Sequence, residues 1–568
     1  MANLTSWQAL VEDKRRRQKE SIPKEWLELI IAPPPDVLNV TKVPKECKLL
    51  SAKELEITET SNVDVILQKL ASSEWSSVEV TTAFYKRAII AQQVVNCLTE
   101  IFVERALARA AELDAHLAKT GKVVGPLHGL PISLKDQLCV KGLETTMGYV
   151  SWIGKYADRN AVLVDILYEC GAVPFVRTNI PQTLMWPETF NNVFGRTSNP
   201  YNRALTSGGS SGGEGALIAL KGSPLGIGSD IGGSVRIPSA FCGLYGLRPS
   251  YNRVPYEGAV NSLEGQDSVV SVFGPMSNSL SGIKTFMKAV VGSKPWTKDP
   301  MAIRKKWDEN EYSLVEHGGG KQLCFAFLTD DGLVTPHPPI IRALEMTKNA
   351  LVADGHKVVD WVPLKHREIY ENLAGIWGAG ASEDYAVTTA STGEPILASM
   401  SFESDQVDEA PFLPSKGISA YELWQLHKRK RELRKEYLDH WEKTVDITGT
   451  GRPVDAIICP VAPYAAPPHG KNRSANFTMV WNGLDYPACV FPVTQVIETI
   501  DVKKPPHQFL SETDKTTYEL YDPTTFNNAP VALQLVGRTL EEEAVIGMTE
   551  VVDAALRQMF MKYHKGSW

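Results

Sequence analysis

The chain has 568 residues, 43% of them hydrophobic and 22% charged, with a formal net charge of −7 and a pI near 6.0. That mild acidity excludes the basic stripe that nucleic-acid binding needs, and no apolar run approaches the ~18 residues of a membrane-spanning helix. The length exceeds the roughly 250–300 residues at which one hydrophobic core tends to stop growing, although large α/β enzymes often still fold as one unit.

The N-terminus begins Met1-Ala2-Asn3-Leu4-Thr5 and lacks the continuous apolar segment of a secretory signal. The sequons at Asn3, Asn39, Asn472 and Asn476 are then chance matches. Eight cysteines are scattered without a CxxC pair, which reads as reduced thiols in a cytoplasmic protein. Lys14-Arg15-Arg16-Arg17 lies between Asp13 and Glu20 and reads as a solvated helix face. Residues 1–50, with Pro33-Pro34-Pro35, are expected to form a helical arm packed on a body of residues 51–568.

In that body Ser76 and Glu79 have capping-box spacing, and Val80, Ala83, Phe84, Ala88, Ala91 and Val95 follow helical periodicity. A second helix carries Ala106, Ala110, Leu113 and Leu117 on one face and stops at Gly121. From residue 125 short apolar runs alternate with helical patterns. Leu130–Leu134 reads as a strand, Asn160–Cys170 as a helix and Ala172–Val176 as a strand. Gly213–Lys221 reads as a helix and Leu225–Gly228 as a further strand. Val454–Cys459 and Pro530–Val536 look like buried strands, and Leu540–Lys562 like a closing helix. This alternation argues for an α/β fold with a central sheet covered by helices on both faces. Residues 365–450 are helical and irregular, which suits a substrate-facing cap insertion.

Two glycine-rich segments carry the chemistry: Gly208-Gly209-Ser210-Ser211-Gly212-Gly213 and Asp230-Ile231-Gly232-Gly233-Ser234. The first fits the G-x-S-x-G elbow of α/β-hydrolases, which requires a downstream acid and histidine. No downstream histidine has a distinctive setting, with His469 the one to keep in view. No P-loop occurs, and Gly226-Ile227-Gly228 lacks the third glycine of a dinucleotide fingerprint. In the second segment two glycines before Ser234 free the backbone to aim N–H groups at one point, as an oxyanion hole does. A serine nucleophile needs a base, and without histidine the candidate is a neutral lysine whose pKa of ~10.4 burial can lower by several units. Lys135 ends the apolar strand Leu130-Pro131-Ile132-Ser133-Leu134. Its plainer reading is a salt bridge to Asp136 at a strand end.

Gly125–Asp136, reading GPLHGLPISLKD, resembles the lysine motif of amidase signature enzymes. Residues 207–249 resemble the Gly/Ser signature of that family without a gap, and the intervals from Lys135 to Ser210 and Ser210 to Ser234 match. Gln266, Gly274-Pro275 and Cys459-Pro460 agree, and the likeness runs from about residue 50 to the C-terminus. It resembles fungal acetamidases more than it does fatty acid amide hydrolases. The resemblance implies the amidase signature fold, a mixed twisted sheet, with Ser234 as nucleophile, Ser210 after a cis peptide bond as relay and Lys135 as base. It implies an oxyanion hole of Ile231, Gly232, Gly233 and the Ser234 amide, with Ser211, Asp230 and Arg236 orienting the network. Neither metal nor organic cofactor is implied.

Leu184, Met185 and Trp186 are candidate acyl-pocket residues, with Trp377 and the 370–403 stretch as further wall. The expected partner is a small-molecule amide, either short aliphatic or aryl, or long-chain as in fatty acid amide hydrolases. The family also suggests a homodimer, and some members serve as glutaminase subunits of an amidotransferase. For that role the charged helix Tyr421–Lys443 is the candidate surface, against the plainer reading of a solvated helix.

Overall fold

The computed structural model describes residues 6–398, 400 and 417–563. Asn3, His564 and the parts of the expected 365–450 insertion and 370–403 wall at 399 and 401–416 lie outside these residues.

Eleven strands form one mixed sheet. In chain order they are β1 (Leu98–Ile101), β2 (Pro131–Lys135), β3 (Val173–Thr178), β4 (Leu225–Asp230), β5 (Tyr245–Arg248), β6 (Val272–Ser277), β7 (Cys324–Phe327), β8 (Lys357–Asp360), β9 (Ala456–Pro460), β10 (Ala488–Gln495) and β11 (Pro530–Val536). Across the sheet they run β1-β3-β2-β4-β6-β5-β10-β11-β9-β7-β8. β2 is parallel to both β3 and β4, and β7 is parallel to β8 and β9, while the remaining pairs are antiparallel. Helices flank it: Val103–Thr120 lies on β3, Arg236–Phe241 on β10 and β11, and Glu542–Tyr563 on β10. The expected α/β class holds.

Local chemistry explains most boundaries. Ser76 accepts the Glu79 amide while Glu79 reaches back to the Ser76 amide, starting the helix Ser77–Val95. Ala106, Ala110, Leu113 and Leu117 are the buried face of Val103–Thr120, which ends at Gly121 with φ of 66°. β4 runs two residues beyond the expected Leu225–Gly228, because Val272 and Phe273 of β6 pair with Asp230 and Ser229. A large apolar cluster around Ile132, Leu134, Phe175, Ile227, Phe273 and Leu533 holds the sheet. A second one gathers Trp361, Tyr437, Trp441, Trp481 and Tyr486 under the helices after residue 365.

Two charged segments need correction. Lys14 is not solvated: it is buried at 2% exposure and ion-paired to Glu100 and Glu144. Arg17 joins Glu144 at 2.7 Å, and Arg15 Nε donates to the Val193 carbonyl at 2.6 Å. Of this run Arg16 alone bonds only within its own exposed helix, to Asp13 and Glu20. The basic cluster therefore pins the first helix, Trp7–Glu20, to the body. The helix Ala420–Glu442 likewise has a packed face, with Lys430, Leu433, Tyr437 and Trp441 buried and Lys430 donating to the Ser268 carbonyl.

Candidate active site

β2 and β4 are parallel neighbours, with Ile132, Ser133 and Leu134 opposite Leu225, Gly226 and Ile227. Their carboxyl ends, Lys135 and Ser229-Asp230, therefore emerge side by side. In open α/β sheets this edge is where ligands bind.

Lys135 is fully buried and its Nζ lies 2.7 Å from Ser210 Oγ and 2.8 Å from Ser229 Oγ. Burial lowers its pKa to about 7, against the opposing charges of Asp230 and Glu214. Half of the amine is then neutral near pH 7. Asp136 is not its ion-pair partner. The Asp136 carboxylate accepts from Thr99, Thr146 and the Met147 amide and faces Arg177 at 3.5 Å. Glu214, beneath the lysine, is pushed up to about 8 by burial, against hydrogen bonds from Ser133 and Thr178 and the charge of Lys135. It is held largely protonated at neutral pH and adds little negative charge.

The Gly209–Ser210 peptide bond is cis, as the resemblance implied. Gly209 is required by close approach: a Cβ there would sit 2.4 Å from the Glu188 carbonyl oxygen. Ser211 braces the next strand, its Oγ donating to the Ser229 carbonyl and accepting the Ser229 amide, both at 3.3 Å.

The turn after β4 is organised by Asp230. Its carboxylate accepts the amides of Gly233, Val235 and Arg236, the Arg236 guanidinium at 3.0 Å and the Asn482 amide. Burial alone would raise the Asp230 pKa, but the charge and hydrogen bonds of Arg236, with Asn482 and Arg248, hold it well below the usual carboxylate range. Arg236 is in turn gripped by the Thr478 carbonyl, Gln534 at 3.2 Å and Asn482 at 2.6 Å.

Because the Gly233 amide already serves Asp230 at 2.8 Å, the turn divides its donors. Among the described residues no acceptor takes the Ile231, Gly232 and Ser234 amides, and no hydrogen bond reaches the Ser234 hydroxyl.

Ser234 opens onto a cavity of about 430 Å³ lined by Leu184, Met185, Trp186, Ile231, Gly232, Ile237, Tyr370 and Trp377, among others. All three expected acyl-pocket residues and Trp377 thus meet at Ser234, while Lys135, Asp230 and Arg236 stand behind the turn. Among the described residues Glu188 is the one carboxylate of this lining. Burial pushes it up to about 7, against hydrogen bonds from the Gly470 and Asn472 amides. His469 is absent from the lining and its Nε2 contacts the Arg203 carbonyl at 3.0 Å. Among the described residues no histidine lines this cavity, so the elbow reading finds no histidine there. Sequence reasoning missed Ser229, Gln137, Asn482 and Gln534. Of these, only Ser229 carried a signal, by its place just before Asp230.

A family model for the amidases matches residues 79–546. The chain is 44% identical to an acetamidase of Emericella nidulans over 555 residues, which is 97% of this chain and 98% of that protein. It is 43% identical to an acetamidase of Aspergillus oryzae over 552 residues, 97% of this chain and 99% of that protein. A solved fatty acid amide hydrolase superposes with a TM-score of 0.88 at 34% identity, over 97% of this chain and 95% of that one. With its signature residues gathered at one sheet edge and matches spanning nearly its whole length, the chain belongs to the amidase signature family of hydrolases.

Proposed function

We propose that the enzyme cleaves carboxylic amides through an acyl-enzyme on Ser234, with Ser210 and Lys135 completing a Ser–Ser–Lys triad. The observation that carries this reading is the buried Lys135 amine, lowered to about 7 and 2.7 Å from Ser210 on the cis peptide. Neutral Lys135 takes the Ser210 proton as Ser210 takes that of Ser234. The Ser234 oxygen bonds to the amide carbon, and the carbonyl electron pair moves onto oxygen, facing the Ile231, Gly232 and Ser234 amides. Collapse breaks the C–N bond while Lys135 returns its proton through Ser210 to the departing nitrogen. Water then attacks the ester by the same relay and releases the carboxylate. The Ser210–Ser234 link is the one that substrate binding must tighten, as catalytic hydrogen bonds commonly do.

The substrates on this reading are short aliphatic or aryl primary amides, the class suggested by the acetamidase relatives. The aromatic and aliphatic walls of the cavity suit a planar or compact acyl group. A second reading, long-chain acyl amides, is favoured by the volume of about 430 Å³, well beyond an acetyl group. The eight cysteines are all unpaired, six of them buried, which supports the expected cytoplasmic compartment. Among the described residues no helix is long and apolar enough to cross a membrane.

The test is ammonia release from acetamide, hexanamide, benzamide and oleamide, with Ser234→Ala as control. Fastest turnover of acetamide, hexanamide or benzamide supports the first reading. Fastest turnover of oleamide supports the second. Equal rates for enzyme and Ser234→Ala overturn both.

A further inference from the structure

A neutral lysine has two N–H donors and one lone pair. To act as a base toward Ser210 it must present the lone pair there and not an N–H. The contact distance of 2.7 Å between Lys135 Nζ and Ser210 Oγ does not by itself say which is presented. The answer lies in the neighbours behind the lysine.

Ser229 Oγ is the second partner of Lys135, at 2.8 Å. Its hydroxyl is also hydrogen-bonded to the Gln137 side-chain oxygen. The orientation of the Gln137 amide is fixed on its other side. There the nitrogen faces Tyr256 Oη at 2.8 Å, Asn261 Oδ1 at 3.0 Å and the Val260 carbonyl at 3.3 Å. A carbonyl can only accept, so a flipped Gln137 would set two oxygens against one another. The Tyr256 hydroxyl is itself spent on Asn261 Oδ1 at 2.9 Å, which leaves its oxygen to accept from Gln137. The Gln137 oxygen therefore points at Ser229 and can only accept. The Ser229 proton must go to it, and the remaining lone pairs of Ser229 can only accept from Lys135.

We infer that Gln137 is a positioning residue that sets the polarity of the catalytic relay. By taking the Ser229 proton it makes Ser229 an obligate acceptor, which draws an N–H of Lys135 backward and leaves the lysine lone pair for Ser210. Gln137 is buried, at 0% exposure, and no part of it lines the cavity at Ser234. It acts through Ser229 and Lys135 and does not touch substrate. The inference rests on the Ser–Ser–Lys reading. The other groups acting electrostatically on Lys135 are Asp230 and Glu214. Both remain in place in the variants below, so a change at residue 137 is read against a constant background.

The test is the pH dependence of kcat/KM for a good amide substrate in the full-length enzyme and in Gln137→Glu, Gln137→Met and Lys135→Ala. The acid limb of the profile reports deprotonation of the base. Glutamate keeps the acceptor toward Ser229 and adds a negative charge one hydroxyl away from the ammonium, while its second oxygen loses the donor contacts to Asn261 and Val260. Its acid limb moves to higher pH by about 1 unit or more, the range expected for an opposite charge this near. Methionine keeps the bulk and removes the acceptor. The freed Ser229 hydroxyl then turns to donate to the amine and competes with Ser210 for its lone pair. The limb moves to lower pH and kcat falls by roughly tenfold, with KM little changed, a part of the ~10²–10⁴-fold that a general base contributes, since the base itself remains.

A merely structural role would lower activity in both variants without moving the limbs in opposite directions. Limbs that stay in place, or that move the same way, in variants with wild-type thermal midpoints overturn the inference while leaving the triad intact. Should either variant fold poorly, Ser229→Ala supplies the same measurement, its limb moving to lower pH because the ammonium loses an acceptor. An unmoved limb there counts equally against the inference. Full turnover by Lys135→Ala overturns the triad reading on which the inference stands.

Discussion

Replacing Lys135 by methionine is expected to abolish turnover and at the same time to stabilise the protein, more at low pH than at high. The lysine is completely buried, and its pKa falls from 10.5 to about 7. At about 1.4 kcal/mol per pKa unit that drop corresponds to a folding cost of about 5 kcal/mol when the amine must be charged. Methionine removes the cost but also the two hydrogen bonds to Ser210 and Ser229, worth about 1 kcal/mol each. The net gain is about 3 kcal/mol at pH 6. The sign follows from proton counting. Between about 7 and 10.5 the unfolded chain holds a proton on this lysine that the folded chain does not, so wild-type stability rises with pH across that window. The cost is complete below the folded value and absent above the unfolded one. The advantage of Lys135→Met should therefore shrink by about 1.4 kcal/mol per pH unit above 7. Urea midpoints of the two proteins from pH 6 to 9 measure this, with far-ultraviolet circular dichroism as the probe. A stability difference that stays flat across this range would refute the reasoning, because the lysine would then titrate outside it.

Asp230→Asn leaves the buried Arg236 guanidinium without its counter-charge, and breaking such a pair costs about 3–5 kcal/mol. Thermal unfolding should show the loss, and turnover should fall with it because the same carboxylate orders the turn at Ser234. Gly209→Ala places a methyl 2.4–2.6 Å from the Glu188 backbone. The loop must shift, and covalent labelling of Ser234 by an organophosphorus probe should slow by at least about tenfold, the scale on which small misplacements cost rate. Trp377→Leu removes an aromatic wall that stands against Gly232. The ratio of kcat/KM for hexanamide over acetamide should then rise by about tenfold, within the range that hydrophobic pocket changes command. An unchanged ratio would place the acyl group elsewhere in the cavity.

How much of this was legible in the sequence depended on whether a residue declared its role locally. Lys135 at the end of an apolar run, and two glycines ahead of Ser234, were visible because charge in a strand and freedom in a turn are both costly without purpose. The capping box at Ser76 and the stop at Gly121 were readable for the same reason: their chemistry is complete within a few residues. Gln137 gave no such sign, and Ser229 gave only its place just before Asp230. They meet only because β2 and β4 are parallel neighbours, and strand order is not written in any short stretch of chain. Lys14 misled in the opposite way. A basic run flanked by acids looks solvated, yet Glu100 and Glu144, which bury it, come from residues far along the chain.

The grip on Arg236 has a consequence for how the enzyme comes into being. Its guanidinium is held by Asn482 and Gln534, 246 and 298 residues further on. The arginine therefore cannot be satisfied while the chain is still emerging from the ribosome. Until the last strands are delivered, Arg236 in the turn at Ser234 lacks part of its hydrogen-bonding shell. Activity should appear as a late, all-or-none event in synthesis and be absent from every shorter nascent fragment. A premature stop between residues 461 and 529, before β11, would yield a chain with every signature residue present and no working site.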